Sequence, residues 1–332
     1  MNPCTEKIKL VEVAAAVLQR PDGSFLLAQR PSDKIWAGYW EFPGGKLESG
    51  ETAYHALVRE LKEELGITVE TAYTWLTRVF TYPHATVRLR FFRVTAWSGE
   101  LHPHEGQVFS WERSPSLNLP RREREQVSVS PVLPANAPIL RALSLPPLYA
   151  ISNVQELGEE EFLRRFRLAM ENGLRLVQLR EKTLSHKDYR NLALRVLHLA
   201  HVYGAKVLFN ADVALAKELG ADGAHLTGAQ LFQLEERPDV DLCGASCHSS
   251  EELRRAEALG CDFALLSPVL PTRSHPDAPH LEWEGFAKIS AGTSIPVYAL
   301  GGLEMADMEA AWRHGAHGVS LLRQAWPESS SS

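Results

Sequence analysis

Hydrophobic positions along this chain follow two regimes. Up to about residue 145 they form long β-type runs interrupted by one helical stripe, and from Leu148 short apolar runs alternate with amphipathic, helix-sized spacers. In the first regime KIKLVEVAAAVLQR, beginning at Lys7, reads as a strand, PDG as a turn and SFLLAQR as the returning strand of a hairpin. TAYTWLTRVFTY and ATVRLRFFRVTAW have the β-branched and aromatic content of two further long strands, with Pro83-His84 between them. From Thr52 to Leu65 the period changes. Leu57, Leu61 and Leu65 fall on one stripe, and Gly66 supplies a stop, which predicts a helix. A short strand follows in HPHEGQVFSW, and APILRAL predicts a short helix with Asn136 placed to cap it.

The second regime contains LYAIS, LVQLRE, KVLFN, GAHL, CGASC, FALLSPV, PVYALGG and GVSLL. Eight candidate parallel strands with helical spacers predict a (β/α)8 TIM barrel whose last helix is nearly absent, with functional side chains just past the strand ends. The expected fold class is therefore α/β in two domains: an α/β/α sandwich around a mixed sheet, then the barrel. The Pro-rich passages ERSPSLNLPRREREQ and LSLPPLY separate them, giving residues 1–145, residues 147–326 and a frayed tail at 327–332.

A length of 332 residues agrees with two cores, and 45% hydrophobic with 23% charged residues excludes extended disorder. The net charge of −6 offers no general attraction to nucleic-acid phosphates, so a free nucleotide is a better substrate class than a duplex. In RREREQ the glutamates largely cancel the arginines, which reads as a solvated loop. The four cysteines make no disulfide framework. Cys243 and Cys247, followed by His248, invite a zinc reading, but they lie on an apolar strand-like run and lack a second ligand pair, so they read as small buried hydrophobes. No apolar run approaches the ~18 residues of a membrane span, and MNPCTEKIKL lacks a signal peptide's apolar core. The expected location is the cytoplasm, with no membrane partner.

The predicted helix also carries chemistry. Glu60 and Glu64 fall beside the leucine stripe rather than opposite it, and Glu63 and Glu51 are close by. Like charges at i,i+4 cost about 0.2–0.5 kcal/mol per pair. This points to a cation between them, and oxygen ligands suit magnesium or manganese. Gly44 and Gly45 either let backbone groups approach a metal or phosphate, or simply make a tight turn.

Gly45, Glu51, Arg59-Glu60-Leu61, Glu63-Glu64 and Gly66-Ile67 stand at the spacing of the Nudix box in all nine defined positions, and the stretch resembles that family. EFPGGK, the box, EGQ and LPANAPIL together resemble its MutT-type members over about residues 7–145. The resemblance implies a magnesium-dependent pyrophosphohydrolase of oxidised purine nucleoside triphosphates, 8-oxo-dGTP above all, and with it nucleotide-pool sanitation, replication fidelity and DNA repair. It implies that Glu60, Glu63, Glu64, the Gly44 carbonyl and Glu105 from outside the box hold the metal. One glutamate would act as general base and Arg59 would orient the carboxylates. Arg30, Glu41, Phe42, Pro43, Gly44 and Asn136 would line the nucleotide, with Phe42 and Asn136 toward the purine. From the residues alone, Phe42 reads equally as a core aromatic and Asn136 as a helix cap, a role compatible with base contact. An arginine that the family places between its two long strands is Ala85 here.

In the second half QLREK, GADGAHL, SPVLPT, HPDAP and ALGG resemble thiamine-phosphate synthase and its relative, the thiazole tautomerase, over about residues 147–325. Arg180 and Lys182 match the synthase's pyrophosphate pair, Asn210 matches an asparagine beside them, and Gly301 and Gly302 are further phosphate-binding candidates for a thiamine-related ligand. The family's two magnesium aspartates align with Ala211 and Gln230, and its PTxTK lysine with His275. His248 falls near the tautomerase's catalytic histidine, although a single histidine after a strand is more often structural.

Overall fold

The computed structural model describes residues 10–104, 106–272 and 279–328. Two compact units divide the chain, and they interleave. The first takes the chain as far as Pro115 and again over Glu125–Arg141; the second takes Ser116–Arg124 and everything from Ala142 onward.

The first unit contains β1 (Leu10–Leu18), β2 (Phe25–Gln29), β3 (Trp40–Glu41), β4 (Gly44–Lys46), helix α1 (Ala53–Leu65), β5 (Thr68–Tyr82), β6 (Ala85–Ser98), β7 (Phe109–Glu112) and most of helix α2 (Ala137–Leu143). A mixed sheet runs in the order β4-β1-β6-β5, with β1 parallel to β6 and antiparallel to β4. A second, antiparallel sheet runs β3-β2-β7. β5 and β6 form the expected long antiparallel pair across the Pro83-His84 turn. The expected hairpin of β1 with β2 is corrected: the two strands meet at a single bridge, Gln19 with Phe25, and then enter different sheets. The cause is in β1 itself, where Ala14 to Leu18 are buried without alternation. Such a strand needs a neighbour on each edge and cover on both faces.

Helix α1 forms where the leucine stripe places it. The Thr52 Oγ1 accepts the His55 amide at 3.2 Å, and Gly66, at φ 73°, closes the other end by donating to the Lys62 carbonyl at 3.1 Å. Ala56, Leu57, Leu61 and Leu65 are fully buried in a cluster with Ala14, Ala16, Leu18, Phe92 and Val94. The alanines on β1 keep the helix close to the sheet, which brings its glutamates over the strand edge at β4.

The second unit is a closed, all-parallel barrel of β8 (Leu148–Ile151), β9 (Leu176–Leu179), β10 (Lys206–Asn210), β11 (Gly223–Leu226), β12 (Leu242–Cys247), β13 (Phe263–Leu266), β14 (Val297–Leu300) and β15 (Gly318–Leu321). All eight runs read from the sequence are barrel strands. Leu176, Leu208, Leu242, Phe263, Leu265, Tyr149 and Tyr298 fill its interior, while alternate residues such as Val177, Val207 and Phe209 face the surrounding helices.

The passage read as a solvated loop is so only in part: Arg122, Glu123 and Gln126 are exposed, but Arg124 and the residues just before the passage join this core. Leu117 packs with the interior cluster, and Arg124 is only 2% exposed, pairing with Asp241 and donating to the Leu119 carbonyl at 2.8 Å. Arg121 reaches Asp262 at 2.7 Å, and Arg237 grips the other oxygen of Asp262 at 2.6 Å. Buried arginines need partners, and the aspartates preceding β12 and β13 supply them. Composition could not show this, because those partners lie more than a hundred residues away in the sequence.

Above this layer the barrel interior turns polar. His225 is fully buried between the Tyr149 hydroxyl, 3.2 Å from Nδ1, and the Ser246 hydroxyl, 2.9 Å from Nε2. Burial, and then the charge of Arg180, push its pKa down to about 3. The imidazole is neutral in the fold and titrates near 6.5 when unfolded, so stability is full above pH 6.5 and drains as the pH falls toward 3. The drop is on the order of 4 kcal/mol. His225→Gln is expected to flatten the dependence of the barrel's urea midpoint on pH across that window, and parallel profiles for the two proteins would contradict this assignment.

Candidate active site

A cavity of about 590 Å³ opens in the first unit, and Glu60, Glu64, Gly44, Gly45, Arg30, Glu41 and Asn136 all line it. The two glycines serve neither a tight turn nor simple flexibility. Both lie in β4 against β1, where Gly44, at φ 140°, pairs with Ala15 and Gly45 with Ala14. A Cβ on Gly45 would stand 2.1 Å from the Glu60 carboxyl carbon, so the missing side chain is the space that Glu60 occupies. The Gly44 amide donates to Glu64 at 3.2 Å.

Arg59 ties the acidic group together. It donates to both oxygens of Glu51 (3.0 and 2.9 Å), to Glu60 at 3.0 Å, to Glu63 at 3.2 Å and to the Lys46 carbonyl at 3.0 Å. Its hydrogen bonds to Glu51, then to Glu60, hold its guanidinium well above the ordinary arginine range, and Glu51 is correspondingly lowered. Arg59 therefore takes up part of the repulsion among the glutamates. The Glu63 carboxylate is 60% exposed beside Arg59 and is not on the cavity wall. Glu105 lies outside the described residues.

Among the described residues no three His, Cys, Asp or Glu side chains stand close enough to hold a metal by themselves. The donors that do converge, the Glu60 and Glu64 carboxylates beside the β4 backbone, are all oxygens and suit a hard divalent cation such as magnesium or manganese.

The nucleotide candidates divide. Arg30 pairs with Glu41 at 2.5 Å and donates through Nε to the Ile35 carbonyl at 2.8 Å, so it braces the loop before β3 as well as lining the cavity. Burial raises the Glu41 carboxyl pKa, with Arg30 opposing. Phe42 is 3% exposed between Phe25 and Phe91, at 5.7 and 5.8 Å, so of its two readings the structure takes the core one. Pro43 is buried too, its carbonyl accepting the Ala16 amide. Asn136 is 2% exposed immediately ahead of α2 and on the cavity wall, and Ala85 lines the same wall. The sequence alone assigned no role to Trp36 or to Tyr82, both of which line the cavity.

In the barrel, Arg180, Asn210, His248, Gly301 and Gly302 all fall at or just past the carboxyl ends of strands, with Lys182 exposed nearby. His248 Nδ1 lies 2.8 Å from the Ser267 carbonyl. At the two positions where the synthase resemblance expects aspartates, the Gln230 amide donates to the Ala211 carbonyl at 2.7 Å, tying the helix Gly228–Gln233 to the end of β10 without a carboxylate. Cys243, Cys247 and Cys261 are buried and free, and burial pushes the Cys247 thiol up to about 12. His275 lies outside the described residues. No helix among the described residues is long and apolar enough to cross a membrane.

Comparison with known proteins assigns both halves. The thiamine monophosphate synthase family matches residues 148–325, and the NUDIX domain matches residues 14–128. A thiamine-phosphate synthase of Desulfitobacterium hafniense strain Y51 is 36% identical over 53% of this chain and 86% of its own length. A CTP pyrophosphohydrolase of Escherichia coli K12 is 38% identical over 41% of this chain and 92% of its own, and an 8-oxo-dGTP diphosphatase of Proteus vulgaris is 42% identical over 30% and 88%. With the eight-stranded barrel in the second unit and Glu60 and Glu64 of α1 facing a cavity in the first, the chain belongs to the thiamine monophosphate synthase family and carries, fused ahead of that domain, a Nudix domain of MutT type.

Proposed function

We propose that the Nudix half is a magnesium-dependent nucleoside-triphosphate pyrophosphohydrolase that converts 8-oxo-dGTP to 8-oxo-dGMP and pyrophosphate. The observation that carries this reading is one cavity shared by Glu60 and Glu64, which can hold a metal, and by Asn136, which can read a purine edge. When bound, the metal neutralises phosphate charge and acidifies a water. Water attacks phosphorus, the bond to the departing pyrophosphate breaks, and a box glutamate accepts the proton. Arg59 holds the Glu60 and Glu63 carboxylates in place through its hydrogen bonds. Asn136 presents both an amide donor and a carbonyl acceptor to the base.

Asn136→Ala is expected to lower the preference for 8-oxo-dGTP over dGTP by about tenfold, the worth of one good hydrogen-bonded contact. The check is kcat/KM on both substrates, and equal losses would leave Asn136 as a helix cap only. A panel with 8-oxo-dGTP, dGTP, CTP and thiamine pyrophosphate, hydrolysed by the full chain, tests the reading itself. The E. coli relative makes CTP the main competitor, and faster turnover of CTP than of any purine would overturn the assignment. For the barrel, Arg180 and Lys182 favour a phosphorylated, thiamine-related ligand held without synthase chemistry.

A further inference from the structure

Trp36 has a backbone φ of 64°, in the left-handed region where a bulky side chain is strained. Strain of this kind persists only where its surroundings enforce it, and it gathers at ligand clamps. Here the enforcement is visible. Arg30 holds the Ile35 carbonyl with its side chain and accepts the Gly38 amide with its own carbonyl at 3.0 Å, while the Tyr39 amide returns to the Trp36 carbonyl at 3.1 Å. The strained residue lines the cavity together with Asn136, and its indole is only partly buried.

Two aromatic rings flank the indole. Tyr39 meets it edge-on, at 5.0 Å and 82°, and Tyr82 meets it at a tilt, at 5.9 Å and 53°. Neither is stacked on it. Tyr82 lines the same cavity as Asn136, so the ring that backs Trp36 shares a wall with that amide. An aromatic wall and a base-edge reader are thus held in one frame. Resting on the nucleotide reading above, we propose that Trp36 is the stacking platform for the substrate's nucleobase, with Tyr82 as its backing, so that Trp36 sets affinity for the base while Asn136 sets which base is preferred.

The test is calorimetry on the full chain with magnesium, using the uncleavable α,β-methylene analogues of dGTP and dCTP, and inorganic tripolyphosphate as a base-free probe. Trp36→Gly removes the ring while fitting the backbone, because glycine adopts φ 64° without strain. It is expected to weaken binding of the dGTP analogue by about tenfold or more, and of the dCTP analogue by less, with tripolyphosphate unchanged. Trp36→Phe should recover most of the loss, and the thermal midpoint of Trp36→Gly should not fall. Unchanged nucleotide affinity, or an equal loss for tripolyphosphate, would overturn the proposal. Wild-type protein that binds the analogues yet hydrolyses no parent nucleotide would defeat the pyrophosphohydrolase reading and leave the platform standing, whereas absence of binding would defeat both.

Discussion

Glu64→Gln is expected to cut nucleotide hydrolysis by about a thousandfold while leaving the fold intact, within the range that general-base and metal-binding carboxylates supply. The substitution keeps the volume of a half-buried side chain one residue before Leu65 on α1. Its amide oxygen can still accept the Gly44 amide that now reaches Glu64 at 3.2 Å, so the seam between α1 and β4 should survive. What is lost is a negative charge and a basic oxygen facing the cavity, and an amide replaces neither. Turnover at limiting and saturating magnesium, with the urea midpoint as a control for folding, decides the matter. Wild-type turnover at limiting magnesium would show that Glu64 neither holds the cation nor takes the proton.

The second large effect is an absence: the full chain is expected not to replace a missing thiamine-phosphate synthase. Forming the pyrimidine cation requires pyrophosphate to leave, and the charge that develops must be met as the bond breaks. Arg180 and Lys182 can attract an anion, but the Ala211 carbonyl and the Gln230 amide bond to each other where two carboxylates would be needed to clamp magnesium. His275 is a poor substitute for a lysine, since an unperturbed imidazole is mostly uncharged near neutral pH. Growth of a thiamine-requiring synthase deletion carrying the full chain, on medium without thiamine, would refute this expectation. Calorimetric binding of thiamine phosphate or the thiazole phosphate without growth would instead mark the barrel as a sensing or docking module.

Much of the architecture was legible because it is local. Leu57, Leu61 and Leu65 repeat at helical spacing and do form the buried stripe of α1, and the eight apolar runs after Leu148 are the eight barrel strands. The sequence failed where a residue's environment comes from far away. Ala14 to Leu18 look like one arm of a hairpin until β6, seventy-odd positions on, claims the other edge of β1. Phe42 has the same apolar side chain whether it meets a purine or packs between Phe25 and Phe91. The left-handed backbone of Trp36 has no signature at all in its residue type, since tryptophan is a poor guess for that conformation.

The segment Ser116–Arg124 also imposes an order of events during synthesis. Arg121 is made 141 residues before Asp262, and Arg124 is made 117 residues before Asp241. At usual elongation rates those guanidinium groups wait on the order of ten seconds for the carboxylates that will bury them. Through that interval the chain ahead of Pro115 can settle around its own sheets, while the nine residues after it stay hydrated and unspent. Barrel closure then draws them in, so that the last structure to form is fastened by one of the earlier stretches to leave the ribosome. A cut near Leu145 to Pro147, natural as it looks on the sequence, would leave the Asp241 carboxylate and one oxygen of Asp262 facing an empty seat.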